Sequence, residues 1–172
     1  AVTLCQPPGG GLSYRHVSST GVVCMSDDVH QRVGKALGRI PQSLYIMTAQ
    51  FEDQMRGVMV SFVQQVSFDP PMIVVCLAKG RPIIPLIHDS HAFAICQIAR
   101  NDKLTLKRFA RSSDPGDAPF QAIETMRGAT GSPVIKRSLA YLDCELVRHI
   151  DVDGDHDMYI GIVRDGELLN DE

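Results

Sequence analysis

Beyond Pro41 the chain alternates short apolar runs with turn residues, and the runs at 44–49, 57–63, 72–78 and 92–98 are each rich in Val, Ile, Phe or Met, as strands require. Toward the C-terminus the alternation is stricter. Leu142, Cys144 and Leu146 interleave with Asp143 and Glu145, which predicts a strand with one wet face, and Met158, Ile160 and Ile162 repeat the pattern. Asp153-Gly154 lies between them and predicts a tight turn joining an antiparallel hairpin. Asp165-Gly166 predicts a second such turn. Helical spacing is confined to short stretches. Val29, Val33, Ala36 and Leu37 recur with a helical period after Ser26 and Asp27, and Gly38 and Pro41 end that helix. A second helix starts near Pro82, and a third follows Asn101 with Leu104, Lys107, Arg108 and Phe109. Residues 111–119 read as a polar surface loop, and residues 1–26, with Pro7, Pro8 and Gly9 to Gly11, as an extended arm before a domain over 27–172. The sum is a mainly β protein with short helices, folded as an antiparallel barrel.

Size and charge narrow the function more than the fold. A length of 172 residues suits one domain with a real core, and a formal net charge of −3 with scattered Lys and Arg disfavours a nucleic-acid partner. The longest apolar run, 72–78, is far short of the roughly 20 residues a membrane helix needs. Nor does any segment read as a signal peptide. Cys5, Cys24, Cys76, Cys96 and Cys144 are odd in number and form no Cys-x-x-Cys pair, which points to free thiols in a reducing cytoplasm.

Three patterns that look chemical do not hold up. Asp151, Asp153, Asp155 and Asp157 have the spacing of a calcium loop, but the glycine falls two places early and Ile162 stands where a bidentate Glu is needed. The histidines show no paired metal spacing, so no metal is expected. Gly9 to Gly11 has no strand before it and no helix after it, as a dinucleotide fingerprint demands.

Three other segments together carry a resemblance. Gly57-Val58-Met59-Val60-Ser61-Phe62-Val63-Gln64-Gln65-Val66-Ser67-Phe68-Asp69-Pro70-Pro71 runs into the strand at 72–78; Lys79-Gly80-Arg81-Pro82 is followed by His88 and a strand at 93–98; Gly154-Asp155-His156 lies near the end. In order and spacing they resemble flavin reductases with the FMN-binding split-barrel fold, over roughly residues 30–166. Within that group the wording at 65–71, 77–81 and 139–144 is most similar to the flavin reductase-like C-terminal domain of cyanobacterial-type flavodiiron proteins.

The resemblance implies FMN, with FAD as the alternative, held by Met59, Val60, Ser61, Phe62, Leu77, Ala78, Lys79, Arg81, Cys96 and Arg108. It places His156 beside a reduced nucleotide, NADH or NADPH. Residue chemistry agrees. Backbone groups at 59–62 and the Ser61 hydroxyl suit the pyrimidine edge of an isoalloxazine, while Lys79 and Arg81 suit a phosphate monoester. Hydride transfer needs stacking and positioning, so no catalytic triad is expected. The chain departs from relatives at Met59 and Ile83, where Thr is common, and at Cys96, where Asn is common. Expected partners are a second copy of the chain and a redox partner protein. Two alternatives stay open: an electron-transfer module of a flavodiiron-type oxygen or nitric oxide reductase without its own NAD(P)H activity, and a flavin-free binding protein on the same barrel.

Overall fold

The computed structural model describes residues 26–110 and 120–170, so the expected N-terminal arm and the loop at 111–119 lie outside the described residues. The chain divides into two compact units at Pro41 and Gln42. In the first, helix α1 (Asp27–Leu37) starts after Ser26, carries Asp27 and Asp28 in its first turn and stops at Gly38, as its sequence signals require.

The second unit is built on antiparallel strands β1 (Tyr45–Phe51), β2 (Gln54–Val60), β3 (Val63–Phe68), β4 (Pro71–Ala78), β5 (Ala92–Gln97), β6 (Thr125–Arg127), β7 (Pro133–Ile135), β8 (Ala140–Asp151) and β9 (His156–Leu168). Helices α2 (Ile84–Ser90) and α3 (Lys103–Ala110) flank β5 in the chain. Seven strands form one sheet in the order β2-β1-β5-β8-β9-β4-β3, and β6 and β7 form a separate ribbon. Edge strands β2 and β3 do not pair with each other, although only Ser61 and Phe62 separate them in the chain. The three steps from Val60 to Val63 span about 11 Å at most, so the sheet rolls until these two edges come close. The result is a split barrel, open along one seam.

Burial follows that layout. β5 is buried along nearly its whole length because it has cover on both faces. Phe93 and Ile95 join Met47, Val58, Val75, Leu77, Ile87 and Tyr159 in one core; Ala94 and Cys96 join Ile46, Phe109, Val134, Ile135 and Tyr141 in a second. Residues of α3, β6 and β7 contribute to the second core, so β1 and β5 divide one apolar layer from the other.

Four sequence expectations are corrected. The apolar run at 57–63 is not one strand: β2 ends at Val60 and β3 begins at Val63, because the chain steps from one edge of the sheet to the other. Asp165-Gly166 is no turn, since β9 runs through it with Asp165 opposite Asp143 and Gly166 opposite Leu142. Asp143 is not on a wet face. It is fully buried and accepts hydrogen bonds from Thr130 N and Thr130 Oγ1, both at 2.6 Å, because the segment before β7 covers this part of β8. The β8–β9 hairpin is present, but its last facing pair is Asp151 and Asp157, so the connection is longer than a two-residue turn.

Candidate functional site

The seam creates the site. Among the described residues β2 pairs with β1 alone, so at its end, over 58–60, the outer side of the strand faces the gap instead of another strand. Across the gap, β4 ends at Ala78, opposite His156 in the first position of β9. The step at Ser61 and Phe62 ties the two sides together, with Cys76 N donating to Phe62 O at 2.9 Å. Between them opens a cleft of about 180 Å³, lined by Val58, Met59, Val60, Ser61, Phe62, Cys76, Leu77, Ala78, Arg81 and His156.

Eight residues expected at the site from sequence thus border one cleft: Met59, Val60, Ser61, Phe62, Leu77, Ala78, Arg81 and His156. The Phe62 and His156 rings close its mouth, tilted at 53° with centroids 5.6 Å apart. His156 Nδ1 lies 2.9 Å from Asp155 Oδ1, which turns one ring nitrogen toward the hairpin tip. Cys76 was not expected at the site. It lines the cleft half-buried, and partial burial raises its thiol pKa above the ordinary value.

Three other expected residues sit elsewhere. Lys79 directs its ammonium to Asp151 Oδ1 at 2.8 Å and to Asp157 Oδ1 at 3.4 Å. The hydrogen bond with Asp151 is the main cause that raises its pKa, and the same bond lowers that of Asp151. Cys96 is fully buried in the second core, where its sulfur accepts from Ile135 N at 3.4 Å and burial pushes the thiol up to about 11. Arg108 lies on α3, with its Nε buried and without a partner among the described residues. Neither Cys96 nor Arg108 lines the cleft.

On β8, the exposed His149 stacks on the buried Tyr159 with centroids 4.7 Å apart, and its Nε2 lies 3.1 Å from Asp157 Oδ2. His88 of α2 meets His149 edge-on at 5.0 Å. No group of three metal-ligating side chains occurs among the described residues.

An antiparallel split barrel with a cleft at its seam defines a class, and comparison with known proteins names it. The flavin reductase-like domain model matches residues 37–172, and the chain belongs to that family. Diflavin flavoprotein A 1 of Synechocystis sp. is 29% identical over 170 residues, covering 98% of this chain and 29% of that protein. Across the diflavin flavoproteins it matches, this chain spans from 24% to 30% of their length. Among solved structures, a nitrilotriacetate monooxygenase component B homologue from Mycobacterium thermoresistibile shares 26% identity at a TM-score of 0.74, covering 86% of this chain and 80% of that one. The NADH:FAD oxidoreductase of Streptomyces globisporus has the same fold, at 21% identity, a TM-score of 0.73 and coverage of 85% and 87%. Family and fold together make this a flavin reductase-like domain of the split-barrel type. Among the described residues no helix is long and apolar enough to cross a membrane.

Proposed function

We propose that this chain binds FMN at the seam and passes reducing equivalents from NADH or NADPH through it, as a cytoplasmic flavin reductase-like oxidoreductase. The observation that carries this reading is the cleft itself, where the end of the edge strand β2, Ser61 and Arg81 border one space with the apolar Val58, Val60 and Leu77. That donor set fits a flavin. An isoalloxazine offers alternating donors and acceptors along one edge, which edge backbone can match, and a guanidinium suits a phosphate. When bound, the flavin would supply the hydride acceptor and the means to release electrons onward.

The residues supply position and exclusion. Val58, Val60 and Leu77 form apolar walls that keep water from the ring, and Phe62 with His156 offers a stacking surface for a nicotinamide at the mouth. None of these residues would need to act as an acid or base, since hydride transfer between stacked rings calls for positioning. FAD is the alternative that the same cleft admits.

A cleft of about 180 Å³ is smaller than the roughly 300–1,000 Å³ of ligand-enclosing pockets, so it grips part of a flavin and leaves the rest to be covered. A second copy of the chain suits that need. Met72 faces Ile162 and Cys76 faces Met158 across β4 and β9, which places these half-buried side chains on one apolar face continuous with the cleft. At the edge of that sheet Phe68 is 88% exposed. We therefore propose a homodimer with flavin near its interface.

A second reading has its own support. Because the chain spans under a third of the diflavin flavoproteins it matches, the domain also fits the electron-entry module of a flavodiiron-type reductase, fed by or feeding a redox partner protein. One experiment separates the two. The absorbance spectrum of the purified protein is taken before and after FMN or FAD, then after NADH or NADPH without oxygen. Flavin absorbance that bleaches with nucleotide supports the reductase, bound flavin that ignores both nucleotides supports the partner-fed module, and failure to bind either flavin removes the proposal.

A further inference from the structure

Lys79 follows β4 directly and stands two residues from Arg81, where a phosphate-binding lysine is expected, yet its surroundings are wrong for an anion. Asp151 Oδ1 is 2.8 Å from its Nζ and Asp157 Oδ1 is 3.4 Å away, so a phosphate seated there would face two carboxylates at close range. Asp151 is the closer of the two anchors and Asp157 the more buried, with its side chain only 11% exposed. For Asp157 Oδ1 the ammonium is the nearby compensation; its Oδ2 meets His149 Nε2 at 3.1 Å.

Both carboxylates belong to the β8–β9 hairpin, one on each strand, and they face each other as its last pair. The backbone of Lys79 holds the same hairpin, with its N–H donating to Asp155 O at 3.0 Å. Asp151 Oδ1 also accepts from Asp153 N at 2.8 Å, which folds the tip back over a residue at φ 57°. Val152 is 49% exposed, and Asp151, Asp153 and Asp155 are exposed as well. His156 leaves this tip directly and places its ring against Phe62 at the mouth of the cleft.

We propose that Lys79 is a positioning residue: it clasps the tip of the β8–β9 hairpin to the end of β4 and so holds His156 beside Phe62 at the cleft. The proposal rests on the flavin and nucleotide reading of the cleft for its kinetic consequence. Its structural consequence stands alone. Losing the ammonium removes the cation shared by Asp151 and Asp157, so the tip opens more often while the β2 and β4 walls stay in place.

The full chain is tested as wild type, Lys79→Met and Lys79→Arg, each checked for native far-UV circular dichroism. Hydrogen exchange of the amides at 152–156 is the first readout. Lys79→Met is expected to exchange there roughly threefold to tenfold faster, with Lys79→Arg restored toward wild type because a guanidinium can bridge both carboxylates. Titration with FMN and steady-state NADH oxidation are the second. The KM for NADH is expected to rise several-fold in Lys79→Met, with the FMN dissociation constant changed less than about twofold. Unchanged exchange at 152–156, or an FMN affinity that falls with the KM effect absent, overturns the clasp. If the wild type binds no flavin, the reading of the cleft fails instead, and the exchange comparison still decides whether Lys79 holds the tip.

Discussion

Tyr159→Phe is expected to stabilise the protein, which is the reverse of what removing a buried polar group usually does. Tyr159 is fully buried in the barrel core, and its hydroxyl has no partner among the described residues. Burial, and then the nearby Asp157 carboxylate, push its pKa up to about 12, the signature of a phenol that gains nothing by ionising. A buried hydroxyl without a partner costs roughly 1–3 kcal/mol of desolvation, whereas the ring contacts are kept by phenylalanine. Those contacts include the stack on His149 at 4.7 Å and the approach of His88 at 5.9 Å. After allowing for the small void left by one oxygen, the net gain is about 1 kcal/mol, or about 2–4 °C in Tm for a chain of this size.

Urea unfolding followed by far-UV circular dichroism measures the difference, since the sequence has no tryptophan to report it. The midpoint must rise while the slope m stays constant, so that the change reflects the native state and not the compactness of the unfolded chain. A loss of about 1 kcal/mol or more would refute the reasoning. It would mean that the hydroxyl is satisfied, by ordered water or otherwise, and that the barrel interior is wetter at this point than its apolar lining implies.

Alkaline pH is a second probe of the same burial. Cys96, Cys144 and Tyr159 have folded pKa values raised to about 11, 12 and 12 from ordinary values of 9.0, 9.0 and 10.0, each chiefly by burial. Raised values mean that their contribution to stability is complete below pH 9 and is lost as pH rises toward 12, by up to about 1.4 kcal/mol per unit for each group; urea midpoints across that range should fall, and fall less steeply above pH 10 in Tyr159→Phe. Asp143→Ala removes the acceptor of two 2.6 Å hydrogen bonds from Thr130 and should cost roughly 3 kcal/mol in urea unfolding. Gly161→Ala would place a Cβ 2.7 Å from Phe93 Cζ and 2.9 Å from Cys144 Cβ, and should cost about 1–3 kcal/mol by overpacking. Ser61→Ala should leave the urea midpoint unchanged and weaken FMN binding roughly threefold to tenfold in a fluorescence titration; equal affinity would take the hydroxyl out of the site.

The strands and helices were legible wherever one local pattern decided them. Alternation at Met158, Ile160 and Ile162 marks β9, and the cap, acidic first turn and terminal glycine mark α1. Pattern failed where the answer depended on what another part of the chain covers. Period-two spacing says that Asp143 and Cys144 point to opposite faces, but not that Thr130 would bury the first of them. Asp165-Gly166 carries a good turn dipeptide and still lies inside β9, because its neighbours keep pairing with β8. For the site, the resemblance named the segment at 59–62 and His156, each local in the chain, and the fold gathers them around one cleft. Lys79 shows the opposite case. A cation after a strand reads the same whether it meets a phosphate or a carboxylate 72 residues away, and only the folded hairpin distinguishes them.

The break between β2 and β3 was the hardest feature to see and explains the most. Val60, Phe62 and Val63 make 57–63 look like one continuous strand, and nothing local indicates that its halves belong to opposite edges of a seven-stranded sheet. If those edges paired, the barrel would close and the backbone along the end of β2 would spend its hydrogen bonds on β3. A step of two residues is too short to let the edges separate widely, while Cys76 N bonding to Phe62 O commits β4 to the β3 side of the gap. The seam is therefore narrow, fixed in width and lined with backbone groups that have no strand partner. Under the proposed reading, those are conditions that suit a flat, polar-edged ring, and they let Met59 depart from the family pattern with the cleft still in place, because the backbone and not its side chain forms that edge.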